Sequence, residues 1–292
     1  VQVSKFGAVT DNAPLVPRDA ATVMLVRDGE RGMEVCMLRR NLNSDFVGGA
    51  YVFPGGAVDP HDSSAEVEAI CLNRDDKDAS RQLGIDHGGL AFWVAAVREC
   101  FEESGVLLAV DSDGEVVSMA DDATAERFAQ WRHKVNNDGT SLVEVCAAEN
   151  LRLMMGDIYY FAHWITPVGP TRRYDTRFFV AAAPPGQIPA HDDRETIATV
   201  WINPADALEQ QKAGKFDLIF PTIKNLEAIS RFDKAADLLA AAAAIDEVVT
   251  VLPRVVNDDH GLRILLPGDE GYDAVIESAA SAEPIDPRDL KQ

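Results

Sequence analysis

Read for its apolar positions, the chain first shows two β-branched runs on either side of a charged, Gly-containing turn, "ATVMLVRDGERGMEVCMLRR" (residues 21–40). That pattern predicts a β-hairpin. "AYVFPGGAVDP" predicts a short strand entering a Gly/Pro loop. Residues 60–89 are polar and irregular, which predicts a partly helical excursion outside the core. Leu90, Phe92, Trp93, Val94, Ala96, Val97, Cys100 and Phe101 then form a broad apolar stripe, predicting a helix over 90–104 with Gly105 at its C-cap. A second helix is expected over 119–135, holding Ala125, Phe128, Ala129, Trp131 and Arg132, and a short one over 142–150. Strands follow in "YYFAHWITP", "YDTRFFVAAA" and "ATVWIN". "PADALEQQKAG" carries the Pro start and Gly stop of a helix, "PTIKNLEAISRF" repeats the Pro start, and "KAADLLAAAAAIDEVV" is Ala-rich helix. "GLRILLPGDEGYD" gives one strand and a polar turn. Strands interspersed with helices predict an α/β or α+β sandwich around a mixed sheet. The economical division is one domain over 1–232 and a helical C-terminal extension, 233–292, packed on it. That extension either forms a homodimer surface or covers a site.

Composition narrows the partners. The 292 residues allow a large core with additions, and the net charge is −21. Such a chain repels nucleic-acid backbone, and no basic patch is visible. If it acts on phosphates, cations must screen both parties. Cys36, Cys71, Cys100 and Cys146 have no redox or zinc spacing. Cys36 and Cys100 fall in apolar segments as expected buried thiols, which fits a reducing compartment. "LLAAAAAI" (238–245), the longest apolar run, is far short of the ~20 residues of a membrane span. No secretory signal is visible, and a soluble cytoplasmic protein is expected.

Glu99, Glu102 and Glu103 share one face of the predicted helix 90–104. Exposed, their repulsion costs only ~0.2–0.5 kcal/mol per pair, so they can be a solvated face with Arg98 paired to Glu102. Buried beside Phe101, they would need a counter-charge, and a hard divalent cation suits carboxylate oxygens. Upstream, Gly55 and Gly56 are either a plain turn or a place where backbone approaches a ligand closely.

Together these residues resemble the Nudix hydrolase family, whose signature is G-x5-E-x7-R-E-U-x-E-E-x-G-U. Arg98, Glu99, Cys100, Phe101, Glu102, Glu103, Gly105 and Val106 match its second half, and Gly56 its opening. The first half departs: 42 positions separate Gly56 from Arg98 where the pattern has 14. Counted forward, the missing Glu falls on Asp62; counted back, on Leu90. A box split this way resembles the branch that includes coenzyme A diphosphatases, as do "LRRN", "AVRECFEESGVLL", "FAQWRHKV", "ITPVGPTRRYDTRFFVA" and "LLPGDE".

The resemblance implies a Nudix-type α/β/α sandwich with 60–89 inserted in the box. It implies hydrolysis of a nucleoside diphosphate linked to another moiety, with Mg²⁺ or Mn²⁺ as cofactor. CoA or acyl-CoA, giving 3′,5′-ADP and 4′-phosphopantetheine, is the expected substrate; the alternatives are NADH or ADP-ribose, or a silent nucleotide-sensing module. Glu102 and Glu103 are expected as main metal ligands, with Glu99 and the Gly56 carbonyl completing the site and Arg98 orienting the glutamates. The general base is either a glutamate of the helix or Glu195, six residues before Trp201, whose other reading is a charged surface loop. Arg39, Arg40, Arg172, Arg173 and Arg177 are candidate phosphate contacts, though Arg40 and Arg173 can equally end strands. Trp93, Trp131 and His163 are expected in the core.

Overall fold

The computed structural model describes residues 15–44, 47–258 and 261–275. It opens with the hairpin of β1 (Arg18–Gly29) and β2 (Gly32–Arg40), followed by β3 (Tyr51–Val52) and β4 (Gly55–Ala57). The insertion holds a 3-10 turn (Pro60–Ser63), α1 (Ala65–Ile70), β5 (Cys71–Leu72) and α2 (Asp76–Leu83). Next come α3 (Leu90–Ser104), β6 (Ala109–Val110), α4 (Asp122–Asp138), α5 (Leu142–Glu149) and β7 (Arg152–Met154). The second half runs β8 (Ile158–Ile165), β9 (Tyr174–Ala182), β10 (Thr196–Ile202), α6 (Pro204–Lys212), α7 (Phe220–Ile229) and α8 (Ala235–Ala243). Strands β11 (Thr250–Val251), β12 (Arg254–Asp258) and β13 (Gly261–Leu265) follow.

The main sheet runs β10-β2-β1-β9-β8-β11 and is mixed: β1 is parallel to β9, and β8 is antiparallel to it. Strand β1 is apolar on both faces because both are covered. Ala21, Val23 and Leu25 pack with α3 in one core, while Met24 and Val26 join α6, α7 and α8 in the other. The result is a mixed α/β fold with helices packed on both faces of a mixed sheet. In the first core Trp93 is fully buried, its ring 4.5 Å from that of Phe179 and its Nε1 donating to the Ile158 carbonyl at 2.9 Å.

One irregularity positions the site. Strands β1 and β2 pair with each other only from Val26 and Val35 to their turn. Away from the turn, β1 takes β4 as partner through Ala20–Thr22, and β2 takes β3 through Leu38 and Arg39. The sheet forks there, and the end of α3 lies beside the fork.

Three expectations are corrected. The stretch 60–89 is not outside the core: Val67, Cys71 and Ala79 are buried in it, and β5 pairs with β7. Its apolar residues are scattered among many charges and show no sustained period. The helix expected from 119 starts at Asp122, because the Asp121 carboxylate accepts from the Thr124 amide at 3.0 Å and caps it. The C-terminal extension is only partly helical: α8 stops at Ala243, β11 joins the main sheet beside β8, and β12 and β13 form a separate hairpin. Its residues beyond 275, like residues 1–14 of the first domain, lie outside the described residues. No helix among the described residues is long and apolar enough to cross a membrane.

Candidate active site

Helix α3 carries the three glutamates, and its ends are fixed from outside. At the start, Asp76 of the insertion accepts from the Leu90 amide (3.0 Å) and the Gly88 amide (2.9 Å), and Ser80 Oγ accepts from Gly89 (2.9 Å). These bonds satisfy donors that a helix cannot pair internally. At the end, Gly105 turns the chain with φ of 74°, a conformation that favours glycine.

The glycine pair is not a turn. Gly55 and Gly56 lie in β4, opposite Thr22 and Ala21. Close approach explains them: a Cβ on Gly56 would stand 2.5 Å from the Glu99 carboxylate, and one on Gly55 2.5 Å from the Ala21 carbonyl oxygen.

Arg98 sits at the centre. Its Nε and Nη2 donate to the two oxygens of Asp62 at 2.9 and 3.0 Å, Nη2 also to the Ala57 carbonyl (2.8 Å), and Nη1 to Glu99 (2.8 Å). Glu102 is a looser neighbour at 3.4 Å. The forward count from Gly56 was therefore the informative one. Asp62, 3% exposed, pairs with Arg98, whereas Leu90 is a core residue. Burial disfavours the guanidinium charge, but the Asp62 bonds and the charges of Glu99, Asp62 and Glu102 outweigh it and raise its pKa.

The glutamates carry more negative charge than this one cation offsets. Burial, then the charge of Glu102, pushes Glu99 up to about 7 against the pull of Arg98. Burial likewise raises Glu102. Glu103, 4% exposed, accepts a bond from the Gly55 amide at 2.9 Å; burial and the neighbouring Glu99 hold it well above the ordinary range. Among the described residues, no three His, Cys, Asp or Glu side chains converge as ligands of one ion. Glu99 and Glu102 are turned to Arg98, and Glu103 to the Gly55 amide. The donor set still fits a hard divalent cation, for Glu99 and Glu102 share one guanidinium that Asp62 already holds through two nitrogens, and Glu103 is buried beside Glu99 with no cation paired to it in a salt bridge among the described residues.

A cavity of about 390 Å³ opens at the fork. Gly55, Gly56, Glu99 and Glu102 line it, as do Arg40, Arg172 and Glu195. Its other walls come from Val47, Val52, Phe53, Trp164, Phe178 and Ile219, with the Thr222 hydroxyl among them. Sequence reading missed that apolar wall, because its residues come from segments far apart in the chain.

The other arginines divide. Arg39 donates to the Gly49 carbonyl (3.2 Å) and lies over Tyr51, outside the cavity wall. Arg173 is corrected from candidate to structural: it is buried, and its guanidinium donates to the carbonyls of Thr166, Pro167 and Leu15. Arg177 is also turned away, buried beneath Phe92 and paired with Asp175. Strand alternation could have sorted it. Tyr174, Thr176 and Phe178 line the cavity, so Arg177 faces the opposite side of β9. His163 is buried as expected, but its ring nitrogens are bonded to Asp175 (2.5 Å) and Thr250 (2.8 Å).

A mixed sheet forked beside a helix of the form R-E-x-x-E-E, with close-approach glycines beneath it, defines the Nudix class. The family model described as the NUDT19 Nudix domain matches residues 68–229, and the chain belongs to that family. It is 25% identical to the acyl-coenzyme A diphosphatase NUDT19 of Xenopus laevis, over 82% of this chain and 71% of that protein. To the Homo sapiens protein of the same name it is 27% identical, over 82% and 72%. Among solved structures, a NUDIX hydrolase from Alicyclobacillus acidocaldarius is 28% identical with a TM-score of 0.61, covering 80% of this chain and 97% of that one.

Proposed function

We propose that the chain is a divalent-metal-dependent diphosphatase that cleaves the pyrophosphate bond of CoA or acyl-CoA, giving 3′,5′-ADP and the (acyl-)4′-phosphopantetheine. The observation that carries this reading is the mixed lining of one cavity: Glu99 and Glu102 share its wall with Phe53, Trp164, Phe178 and Ile219. The diphosphate is assigned to the carboxylates Glu99 and Glu102 and the acyl-pantetheine arm to Phe53, Trp164, Phe178 and Ile219. The names of the relatives support the same substrate class. Arg40 and Arg172, on the cavity wall, are assigned to phosphate oxygens.

Glu99, Glu102, Glu103 and the Gly56 carbonyl would hold Mg²⁺ or Mn²⁺. When bound, the ion supplies neutralisation of the diphosphate and a water of lowered pKa. Arg98 keeps the helix carboxylates in place through its bonds to Asp62 and Glu99. The apolar walls exclude bulk water from the leaving group. Glu195, on the cavity wall, takes the proton of the attacking water at its carboxylate. Attack runs in line on phosphorus.

A panel of CoA, short- and long-chain acyl-CoA, NADH and ADP-ribose with Mg²⁺ or Mn²⁺, with products identified, tests this. CoA compounds should be cut fastest, yielding 3′,5′-ADP. NADH cleaved while every CoA compound stays intact would refute the substrate assignment.

A further inference from the structure

We propose that Arg132 is a positioning residue that fixes the loop acid Glu195 against the glutamates of α3; this rests on the role given to Glu195 above. The segment "FAQWRHKV" lies in α4, outside the signature, and nothing in the chemistry so far uses it. Its guanidinium works on two elements at once. Nε donates to the Glu102 carbonyl at 2.9 Å, and Nη1 to the Ala190 carbonyl at 2.8 Å. The first acceptor is in the last turn of α3, where carbonyls have no partner within the helix. The second is in the loop that leads to Glu195.

Neighbouring bonds make the link a closed frame. Asn136 Nδ2 also donates to the Glu102 carbonyl (3.1 Å), and the Ala190 amide donates to the Ser104 carbonyl (2.8 Å). One turn of chain further, Arg194 Nη1 donates to Asn137 Oδ1 at 2.6 Å. The Asp192 carboxylate gathers the Glu195 amide (3.1 Å) and the Thr196 amide (2.8 Å). From the other side, Asn41 donates to the Arg194 and Glu195 carbonyls at 2.9 and 2.8 Å. The Glu195 backbone is thus held from α4 and from the end of β2, while its side chain lines the cavity with Glu99 and Glu102. A lysine at position 132 keeps the charge but has no fork to reach both carbonyls.

The test is Arg132→Lys, read by amide hydrogen exchange across residues 188–196 and by steady-state kinetics on the fastest substrate of the panel. Exchange in that loop should rise ~10-fold while β1 and β9 are unchanged, and kcat should fall ~10-fold with KM within about two-fold. In a Glu195→Gln background the same substitution should leave kcat where Glu195→Gln put it. Asn137→Ala, on an exposed side chain of the same frame, should loosen the loop in the same direction and serves if Arg132→Lys does not fold. Unchanged loop exchange in either folded variant overturns the proposal, as does an equal fall in kcat with and without Glu195. Exchange is read without turnover, so a wild-type protein that cuts nothing in the panel sinks the hydrolase reading separately.

Discussion

At the scale of single residues, Glu103 is the carboxylate whose burial is least compensated. It is a buried carboxylate that accepts from the Gly55 backbone amide, while Asp62 and Glu99 occupy the Arg98 guanidinium. A buried charge so weakly offset is costly. In Glu103→Gln the amide oxygen can still accept from Gly55, but the charge is gone. The variant should melt at a higher temperature than wild type in chelator, and its kcat should be at least ~10²-fold lower, because the charge is needed only when an ion is held. Differential scanning fluorimetry and kinetics check the two halves independently; a variant with near-normal turnover would remove Glu103 from the ligand set. Asp62 shows what counting could reach: the position forward from Gly56 gave the partner of Arg98 even with a shorter acid. The arginines show what it could not reach. Arg172 and Arg173 are neighbours of one chemical type, and only the carbonyls that fold around Arg173 separate them.

At the scale of elements, the longer strands and α3 were legible from their apolar runs and stripe, and α6 and α7 from their Pro starts. The two- and three-residue strands β3 to β7 have no room for a period and take their form from neighbours. The insertion was misread for a related reason, since its contribution to α3 is polar. Asp76 caps a helix whose own N-cap residue, Gly89, makes no side-chain cap bond. Asp76→Ala should cost about 1 kcal/mol or more of stability, the usual value of a lost cap. Thermal melts should show this as a drop of a few degrees, with KM little changed because Asp76 lies outside the cavity wall. A melting temperature equal to wild type would mean that another group caps α3.

At the scale of the whole molecule, the glutamates of α3 should make stability depend on pH and, on the proposed reading, on a divalent ion. The folded-state pKa of Glu99, about 7, lies above that of an unfolded glutamate. Its contribution to stability is therefore whole below about pH 4.5 and is lost as pH rises through about 7, and raised Glu102 and Glu103 act in the same direction. Asp175 and Asp192 oppose this trend, but their depressed pKa values place their loss below the ordinary aspartate range. Metal-free protein should thus melt lower at pH 8 than at pH 5, by an amount worth a few kcal/mol at most. Millimolar Mg²⁺ should restore it at pH 8 and do little at pH 5, where protonated carboxyls bind cations poorly. Equal Mg²⁺ shifts at both pH values would detach the cluster from the ion. The fork in the sheet and the cavity it opens were not legible in the sequence, because they depend on where β1 exchanges β2 for β4. The pairing of Asp62 with Arg98 has a consequence for recognising relatives. An ion pair, rather than a fixed number of residues, holds the two halves of the signature in register. Loop length between them is then free to drift, so a search demanding constant spacing passes such chains by, whereas a spatial template of one glycine, one aspartate, one arginine and three glutamates would retrieve them.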